Sequence, residues 1–503
     1  LCVVDAASGR GIEELRRLLA EALLEAAPVL PDVRSAVDRG PAGASAMADA
    51  AQSARKRQRA RSLTDQLDTW LLHPWTGPLV LVLMALAMFQ LVFVVAEPFM
   101  AAIETAQQWV SDGIGAVVPE GLWQSLLVDG VVNGVGSSLI FVPQIALLVA
   151  FVACIEASGY MARAVFLLDR LLGSVGLSGR SFVPLASSFA CAIPGITATR
   201  ILADERDRLA TIAVAPLMSC SARLPVYVVL LAAFFPAHQA GLMLFVLYVL
   251  GIVTAAAVAF CLRRTVLRGG QSALAMELPV YQRPRLKLVA AHTWFAVKGF
   301  LRTAGTVIFV ATIVVWALGY FPRSEQVRVQ HEALRAAVPA GADGDERRAE
   351  IDAAEAGAQL EQSYLARLGR TVQPVFAPAG FDWRLTVGVL AAFPARELVI
   401  PTLGTLYSLG EVEASPDEPD QRLGDALRNA TGPDGKPTMD ALTALAVMVF
   451  FALCSQCAGT LAAIRRETHS WRWPLFTFGY MTVLAWLAAV AVQQFGRMLG
   501  FGA

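Results

Sequence analysis

Residues 181–227 read SFVPLASSFACAIPGITATRILADERDRLATIAVAPLMSCSARLPVY, and this stretch decides how the rest of the chain is interpreted. It is apolar enough for a bilayer, yet prolines interrupt it, and Cys191 and Cys220 stand beside two interruptions. Proline frees a backbone carbonyl, and unpaired backbone at membrane depth survives only when buried in protein or lining a wet cavity. Because transporters arrange broken helices around their substrate, the stretch predicts a permeation site. The simpler alternative is a kinked core helix with incidental cysteines, since proline kinks are common in membrane helices.

The composition is that of a membrane protein. The chain has 503 residues, of which 56% are hydrophobic and 16% are charged, whereas soluble domains carry about 25% charged residues. Several apolar runs approach the length of about 20 residues that a membrane span needs. These runs are 77–96, 137–154, 209–237, 240–262, 304–320, 441–464 and 473–492. The net charge of zero gives no indication of a nucleic-acid partner.

The N-terminal residues 1–27 read as a strand, a glycine-containing loop and an amphipathic helix. They resemble the tail of a Ras-like GTPase domain, whose last guanine-recognition loop is matched here by Asp5, Ala6, Gly9 and Gly11. No P-loop of the form GxxxxGK[ST] is present in the sequence. We therefore expect this chain to bind no GTP by itself and to be the C-terminal part of a longer protein.

We predict a mainly α, polytopic helical membrane protein with two broken-helix gate regions, preceded by the short GTPase-domain remnant and a helical linker. The second gate region resembles the first, as an internal repeat would, because Pro394 and Pro401 flank Arg396 and Glu397. The boundaries are 28–70 for the cytosolic linker, 71–320 for the first transmembrane part with gate region 1 at about 137–235, 321–384 for a polar helical insertion, and 385–503 for the second transmembrane part with gate region 2.

Charge patterns predict the sides of the membrane. Basic residues crowd the linker just before the first span and the loop 263–298, which places both in the cytosol. The segment 99–129 contains acids but no Lys or Arg, so we expect an external loop there. The segment 181–199 is either a re-entrant hairpin or a short crossing. In the insertion 321–384 we expect charges on solvated faces.

Cysteine thiols and two acids are the candidate metal ligands. Cys454 and Cys457 form a CxxC in an apolar run, where helical spacing would put both thiols on one face. No second CxxC exists, so a closed four-thiolate zinc site is not expected. Glu156 ends a span, where it either snorkels to the interface or accepts a cation, because acids within membranes are functional candidates.

A series of motifs carries a family resemblance over residues 65–473. In order they include HPWTGP at 73–78, LLVDGVVNGVGSSLIFVPQIALL at 126–148, CAIPGITATR at 191–200, PLMSCSARLPVY at 216–227, AAFPARELV at 391–399 and QCAGTLAAIRRETHSWRW at 456–473. With the GTPase-like tail before them, they resemble the membrane portion of the bacterial ferrous iron transporter B (FeoB) family. Departures from the family pattern include Ala192 in place of Asn, Ala157 in place of Asp, and Arg396 in place of Lys.

The resemblance implies uptake of Fe²⁺ across the bacterial cytoplasmic (inner) membrane by a multi-pass protein. It implies that GTP and Mg²⁺ act only in the full-length protein, through its own GTPase domain, and that partners include the lipid bilayer, small accessory iron-transport proteins and further copies of the chain. The candidate residues along the transport path are Cys191, Cys220, Cys457, Glu156, Glu397 and Cys454. Mixed thiolate and carboxylate ligands suit Fe²⁺, which is borderline in softness.

Two other functions remain open at this point. A cation-coupled carrier of a small organic solute, of nucleoside type, would also use broken helices, but it would line them with hydrogen-bonding side chains rather than thiols. A GTP-controlled signalling or scaffold protein in the membrane would show no ion flux. Buried cysteines can also be simple packing residues.

Overall fold

The computed structural model describes residues 63–73, 75–119, 121–189, 191–268, 281–338, 342–409, 421–430, 438–455 and 457–500. The chain divides at Pro78 into two units. In the first unit, helix α1 (Leu63–Leu71) forms the end of the predicted linker. The predicted GTPase remnant at 1–27 and the linker up to residue 62 lie outside the described residues.

The described residues after α1 form helices and no strand. In chain order the helices are α2 (Thr76–Gln90), α3 (Ala96–Val117), α4 (Leu122–Ser125), α5 (Asn133–Ser158), α6 (Tyr160–Ser174), α7 (Phe182–Ser188), α8 (Ala192–Ala198), α9 (Glu205–Val214), α10 (Leu224–Phe234), α11 (Ala237–Arg264), α12 (Leu286–Phe300), α13 (Thr306–Tyr320), α14 (Glu325–Ala336), α15 (Ala342–Gln362), α16 (Tyr364–Phe376), α17 (Trp383–Ala391), α18 (Val399–Leu406), α19 (Gln421–Asn429), α20 (Ala441–Leu453), α21 (Ala458–Thr468) and α22 (Arg472–Met498). The predicted mainly α fold is confirmed.

Five helical stretches in the described part are long and apolar enough to cross a membrane. They are Leu122–Ser158, His238–Arg264, Leu286–Tyr320, Ala441–Thr468 and Arg472–Met498. Three of these stretches comprise more than one helix. π-helical turns at Leu126–Val132 and Leu301–Gly305 join α4 to α5 and α12 to α13, and the stretch Ala441–Thr468 takes in α20 and α21, which are separate helices. The apolar run at 209–237 does not form one span, because α9 and α10 are separated by two 3₁₀ turns, Ala215–Leu217 and Ser221–Arg223.

The segment 99–129 is helical, and our expectation of a loop there is wrong. Helix α3 runs to Val117, and α4 begins at Leu122. The acids of this segment alternate with apolar residues on helical turns, and no proline follows Pro98 until Pro119. The α3 side chain of Gln107 donates to Asn133 Oδ1 of α5 at 2.8 Å, which ties the two helices together.

The same order of elements occurs twice in the chain. The first repeat comprises α7 to α11 and the second comprises α17 to α22; each has two interrupted helices followed by one long helix, and the second has the additional helix α19 between its two interrupted helices. A single apolar core contains residues of both repeats, including Tyr227 from the first and Phe450 from the second. The rings of Phe376, Phe381 and Phe450 pack there with centroids 5.6–5.8 Å apart.

The predicted insertion consists of α14, α15 and α16. Most of its described charges lie on solvated faces, as expected, but a few also pair between helices. Arg335 of α14 forms ion pairs with Asp352 and with Glu355 of α15, the second at 3.0 Å, and Glu355 is buried. The Gln359 amide and the backbone of Ser324 exchange hydrogen bonds of 2.9 and 3.0 Å. These contacts join the helices of the insertion to one another.

Candidate functional site

Four breaks, two in each repeat, interrupt the helices in the described part of the gate regions. The first separates α7, which ends at Ser188, from α8, which begins at Ala192, and the second lies at 218–220 between the 3₁₀ turns Ala215–Leu217 and Ser221–Arg223. The third lies at 392–395, before the 3₁₀ turn Arg396–Leu398 that leads into α18, and the fourth separates α20, which ends at Leu453, from α21, which begins at Ala458. We call these breaks, with their flanking turns, the junction.

Three of the breaks end on a residue with extended backbone. The φ and ψ angles are −153° and 132° at Cys191, −151° and 136° at Ala395, and −164° and 106° at Cys457. The residue that follows each of them begins a helix or a 3₁₀ turn. The first and third breaks therefore have nearly the same local geometry at corresponding places of the two repeats, although one carries a thiol and the other a methyl group.

The breaks of the two repeats meet in pairs. Helix α8, which follows the first break, packs against α21, which follows the fourth. The 3₁₀ turn of the second break packs against that of the third. Within the second repeat, Ala458 N donates to Phe393 O at 3.1 Å, so backbone released by one break is satisfied by another. Unpaired backbone is tolerated at membrane depth under this condition.

Close approach at the junction depends on glycine. A Cβ built on Gly195 of α8 would lie 2.7 Å from Pro184 O, and one built on Gly459 of α21 would lie 3.0 Å from the end of the Ile193 side chain. Neither glycine has a positive φ, so space rather than backbone strain explains the residue type. Small residues let membrane helices approach in this way.

Two buried arginines converge on one carbonyl oxygen in the junction. Arg223 of the second break is 0% exposed, and Arg396 of the third is 5% exposed. The Nη2 atom of Arg396 donates to Cys454 O at 2.8 Å, and Nη2 of Arg223 donates to the same oxygen at 3.4 Å. The Cys454 carbonyl lies one residue past the end of α20, so the helix leaves it available to these donors.

The candidate thiols border this cluster. Cys191, Cys220 and Cys457 are half-buried, whereas Cys454 is buried and its Sγ faces Phe451 O at 3.7 Å. A charge on Cys191 would interact with Cys220, with Cys457 and with the Arg396 guanidinium. Among the described residues, however, no three His, Cys, Asp or Glu side chains are grouped closely enough to hold a metal ion. The thiols share a neighbourhood without forming a closed cage in this conformation.

The two candidate acids lie in different places. Glu397 follows Arg396 directly in the third break and is half-buried; within the described residues it forms no ion pair, so the pairing with an arginine that its sequence position allowed is not observed. Glu156 is exposed near the C-terminal end of α5. The structure therefore brings Glu397 to the junction and leaves Glu156 outside it.

A cavity of about 430 Å³ lies between Glu156 and the first break. Its mainly apolar walls come from α5, α7, α8, α12 and α21, and they include Ile193 and Pro194 just after Cys191. Glu156 and the exposed His292 are among its polar lining residues. The cavity thus extends to the helix that begins at the first break.

The chain matches two family models and several curated relatives. The model described as "Nucleoside recognition" matches residues 138–234 and 301–471, and the model described as "Ferrous iron transport protein B C terminus" matches residues 244–295. The Fe(2+) transporter FeoB of Campylobacter jejuni is 34% identical over 445 residues, which are 88% of this chain and 67% of that protein. The chain belongs to the FeoB family.

Two further FeoB relatives extend the comparison. The Fe(2+) transporter FeoB of Leptospira biflexa is 38% identical over 88% of this chain and 61% of its own length. The Fe(2+) transport protein A/Fe(2+) transporter FeoB fusion protein of Porphyromonas gingivalis is 38% identical over 87% of this chain and 52% of its own length. The chain thus spans about half to three fifths of these relatives. No solved structure matches it.

For this FeoB chain, one interpretation of the thiols has to be corrected. Cys454 and Cys457 do not share a helical face, because the fourth break separates them: Cys454 follows α20 and Cys457 precedes α21. The run 441–464 contains no proline, so no residue in it indicates this break. The close contacts of Gly459 with Ile193 and Ala304 show the packing that accompanies it.

Arg223 and Arg396 lie in the junction but are not among the site residues predicted from the sequence. Arg223 is the one charge in the apolar run 209–237, and Arg396 lies between two prolines, so both carried a signal. A charge within a membrane segment is a functional candidate by default. The acceptor they share is a backbone oxygen, which no side-chain pattern can reveal.

Proposed function

We propose that this protein transports ferrous iron across the bacterial cytoplasmic membrane into the cell. The observation that carries the proposal is the junction, where the half-buried thiols Cys191, Cys220 and Cys457 lie at helix breaks of a multi-pass FeoB-family protein. Thiolate and carboxylate ligands suit Fe²⁺, and a transport site must bind weakly enough to release its ion. An open set of thiols beside freed carbonyls meets both requirements better than a closed cage.

The path we propose uses Cys191, Cys220, Cys457 and Glu397 near the junction, with Glu156 at the mouth of the adjoining cavity. Cys454 contributes its carbonyl rather than its buried thiol. Thiols must lose a proton to bind the ion, so binding at these positions releases protons. The ion is cargo throughout, and nothing in the proposed path requires its oxidation.

We also propose that a GTPase domain with GTP and Mg²⁺ controls or powers transport in the full-length protein. The support is the GTPase-like tail at residues 1–27 together with the greater length of the relatives. The fused relative of Porphyromonas gingivalis supports a small accessory partner of the Fe(2+) transport protein A type. Further copies of the chain complete the proposed assembly.

The second candidate is a carrier of nucleosides, favoured only by the description of the larger family model. The relatives named Fe(2+) transporter and the thiols at the breaks favour iron. The two functions separate in proteoliposomes that contain the full-length protein with GTP and Mg²⁺ present. We expect entry of Fe²⁺ ahead of Mn²⁺ and Zn²⁺, and no entry of labelled uridine; uridine flux without Fe²⁺ flux would reverse the assignment.

A further inference from the structure

Positively charged arginines from both repeats donate hydrogen bonds to the Cys454 carbonyl oxygen. A carbonyl freed at a helix break is the kind of oxygen that coordinates a cation in transporters. Here Arg396 donates to it at 2.8 Å from the same repeat, and Arg223 donates to it at 3.4 Å from the other repeat. A cation that reaches the neighbouring thiols therefore finds this ligand already occupied.

The remaining acceptors of Arg223 are neutral. Its Nη2 atom donates to Pro216 O at 3.0 Å, and its Nη1 atom donates to Ser219 Oγ at 3.2 Å. Such acceptors satisfy N–H groups without cancelling the charge, and a guanidinium cannot be deprotonated in proteins. Because Arg223 is fully buried, water does not screen its charge as it would at a surface.

Other donors around this point are unsatisfied. Within the part of the chain that the structure describes, the Nε atom of Arg223, the hydroxyl of Tyr227 and the hydroxyl of Ser455 are buried without a hydrogen-bond partner. Tyr227 and Arg223 interact electrostatically, and Ser455 follows Cys454 directly. Groups of this kind are costly when left unpaired. Their cost in the present conformation indicates that another arrangement of the junction satisfies them better.

We propose that Arg223 and Arg396 form the closed gate of the permeation path. This inference rests on the proposed function. In the closed state the two guanidinium groups occupy the Cys454 carbonyl and repel cations, in the way that positive groups exclude cations and protons from selective pores. In the open state Arg223 leaves the carbonyl, whose second lone pair is then free to bind the passing ion while Arg396 keeps the first.

The repeats determine which arginine moves. Arg396 and Cys454 both belong to the second repeat, whereas Arg223 belongs to the first. Rocking one repeat against the other, which is the usual motion of transporters with repeated halves, separates Arg223 from Cys454 and leaves the Arg396 bond intact. Arg223 is thus the mobile half of the gate and Arg396 the fixed half.

The test uses charge-neutral variants of the 503-residue chain in liposomes that contain a metal-sensitive dye and a pH-sensitive dye. We expect Arg223→Gln and Arg396→Gln to admit Mn²⁺, Fe²⁺ and protons at least about tenfold faster than the parent. Arg223→Lys and Arg396→Lys, which keep the charge, should stay close to the parent rate. Arg465→Gln, an exposed arginine of the second repeat outside the junction, is the matched control.

Folded Gln variants that are as tight as the parent would overturn the gate. If they leak while the parent full-length protein transports no Fe²⁺ in the preceding assay, the gate stands and the iron assignment fails. If that protein transports Fe²⁺ and the Gln variants do not leak, the iron assignment stands and the gate fails. Melting curves of the purified variants establish that they fold.

A second measurement needs no arginine variant. In chains that retain only Cys220 or only Cys457, a negatively charged methanethiosulfonate should react faster than a positively charged one of similar size, because the guanidinium groups attract the first and repel the second. A chain that retains only the exposed Cys261 should show no such preference. Equal rates at all three thiols, or faster reaction of the cationic reagent at Cys220, would contradict a positive gate.

Discussion

The two repeats share a backbone plan and differ in the chemistry they place on it. At the first break of each repeat an extended residue precedes a new helical turn, with φ and ψ within about 5° of each other at Cys191 and Ala395. The first repeat offers a thiol there, and the second offers Ala395 followed by Arg396 and Glu397. At the second break the first repeat offers Cys220 and Arg223, and the second offers two cysteines.

The backbone of the breaks is therefore similar in the two repeats, while the side chains that they place there differ. Each repeat contributes one buried arginine, but from non-corresponding breaks, and both reach the same carbonyl of the second repeat. A strictly symmetric pair of sites would hold an ion twice with equal strength. An asymmetric junction can instead pass an ion from thiols of one repeat to a thiol of the other, as conduction through several weak sites requires.

The largest expected effect comes from the thiols at corresponding ends of the packed helices α8 and α21. Cys191→Ser and Cys457→Ser replace a soft ligand with a harder one of nearly the same shape. We expect each to lower Fe²⁺ uptake by about tenfold or more, the equivalent of about 1.4 kcal/mol of lost binding. Uptake is measured in cells at matched protein level in the membrane.

Cys261→Ser is the control for these variants, because Cys261 is exposed on α11 and lies outside the junction. If Cys191→Ser and Cys457→Ser transport like the Cys261 variant, the thiols are packing residues, and carbonyls with carboxylates must line the path. A loss confined to one of the two would show that only one repeat supplies a soft ligand.

Glu397 and Glu156 should contribute unequally to Fe²⁺ uptake, because Glu397 lies in the junction and Glu156 lies outside it. Glu397→Gln keeps the shape and removes a half-buried charge beside Arg396, so we expect a strong loss of Fe²⁺ uptake. Glu156→Gln removes an exposed charge at the cavity mouth, where salt screens its attraction for the ion, so a smaller loss is expected. Initial rates at low and high ionic strength compare the two; equal losses would place Glu156 on the path with the same weight as Glu397.

Three of the four helix breaks could be predicted from individual residues of the sequence. Prolines marked the first three breaks, because Pro194, Pro216 and Pro394 cannot continue a hydrogen-bonded helix. The fourth break carries no proline and was missed. The helices within 99–129 are also not predictable in this way, because acidic residues without Lys or Arg favour an external loop.

The core of the site depended on tertiary contacts that no local pattern contains. The apolar run around Arg223 and the prolines around Arg396 showed that each arginine is unusual, but not that both bind Cys454 O. Their sequence separation from Cys454 is 231 residues for Arg223 and 58 for Arg396. Long-range backbone acceptors of this kind become visible only when the repeats are packed together.

Glycines in the packed helices α8 and α21 give a comparison of packing between the repeats. A methyl group on Gly195 would meet the backbone oxygen of Pro184, which cannot move away, whereas one on Gly459 would meet the flexible end of Ile193. We expect Gly195→Ala to lower the free energy of unfolding by about 1–3 kcal/mol and Gly459→Ala to fall at the low end of that range.

Gly241→Ala on α11 and Gly479→Ala on α22 are the matched controls for these packing variants, because neither glycine has an atom within 4 Å of the built Cβ. In a helix interior such changes stabilise by about 0.5–1 kcal/mol. Thermal unfolding in detergent measures all four variants. A Gly459 variant less stable than the Gly195 variant would show that α21, rather than α8, is the more rigid side of the contact.

The smallest expected effect concerns the ion pair between Arg200, just after α8, and Glu467, near the end of α21. The Nε and Nη2 atoms of Arg200 donate to the carboxylate at 2.8 and 2.7 Å. The Arg200 side chain is 59% exposed and that of Glu467 is 4% exposed, so the two partners lose different environments when the pair is broken. Arg200→Gln leaves a buried carboxylate with a weaker partner and should cost about 1–3 kcal/mol. Glu467→Gln frees an arginine that water can solvate, so its cost should resemble that of a surface pair, about 0–1 kcal/mol.

Melting temperatures of the two single variants and of the double variant measure this inequality, and a double variant more stable than Arg200→Gln alone is expected. Equal costs for the two single changes would mean that water solvates Glu467 as well as it does Arg200.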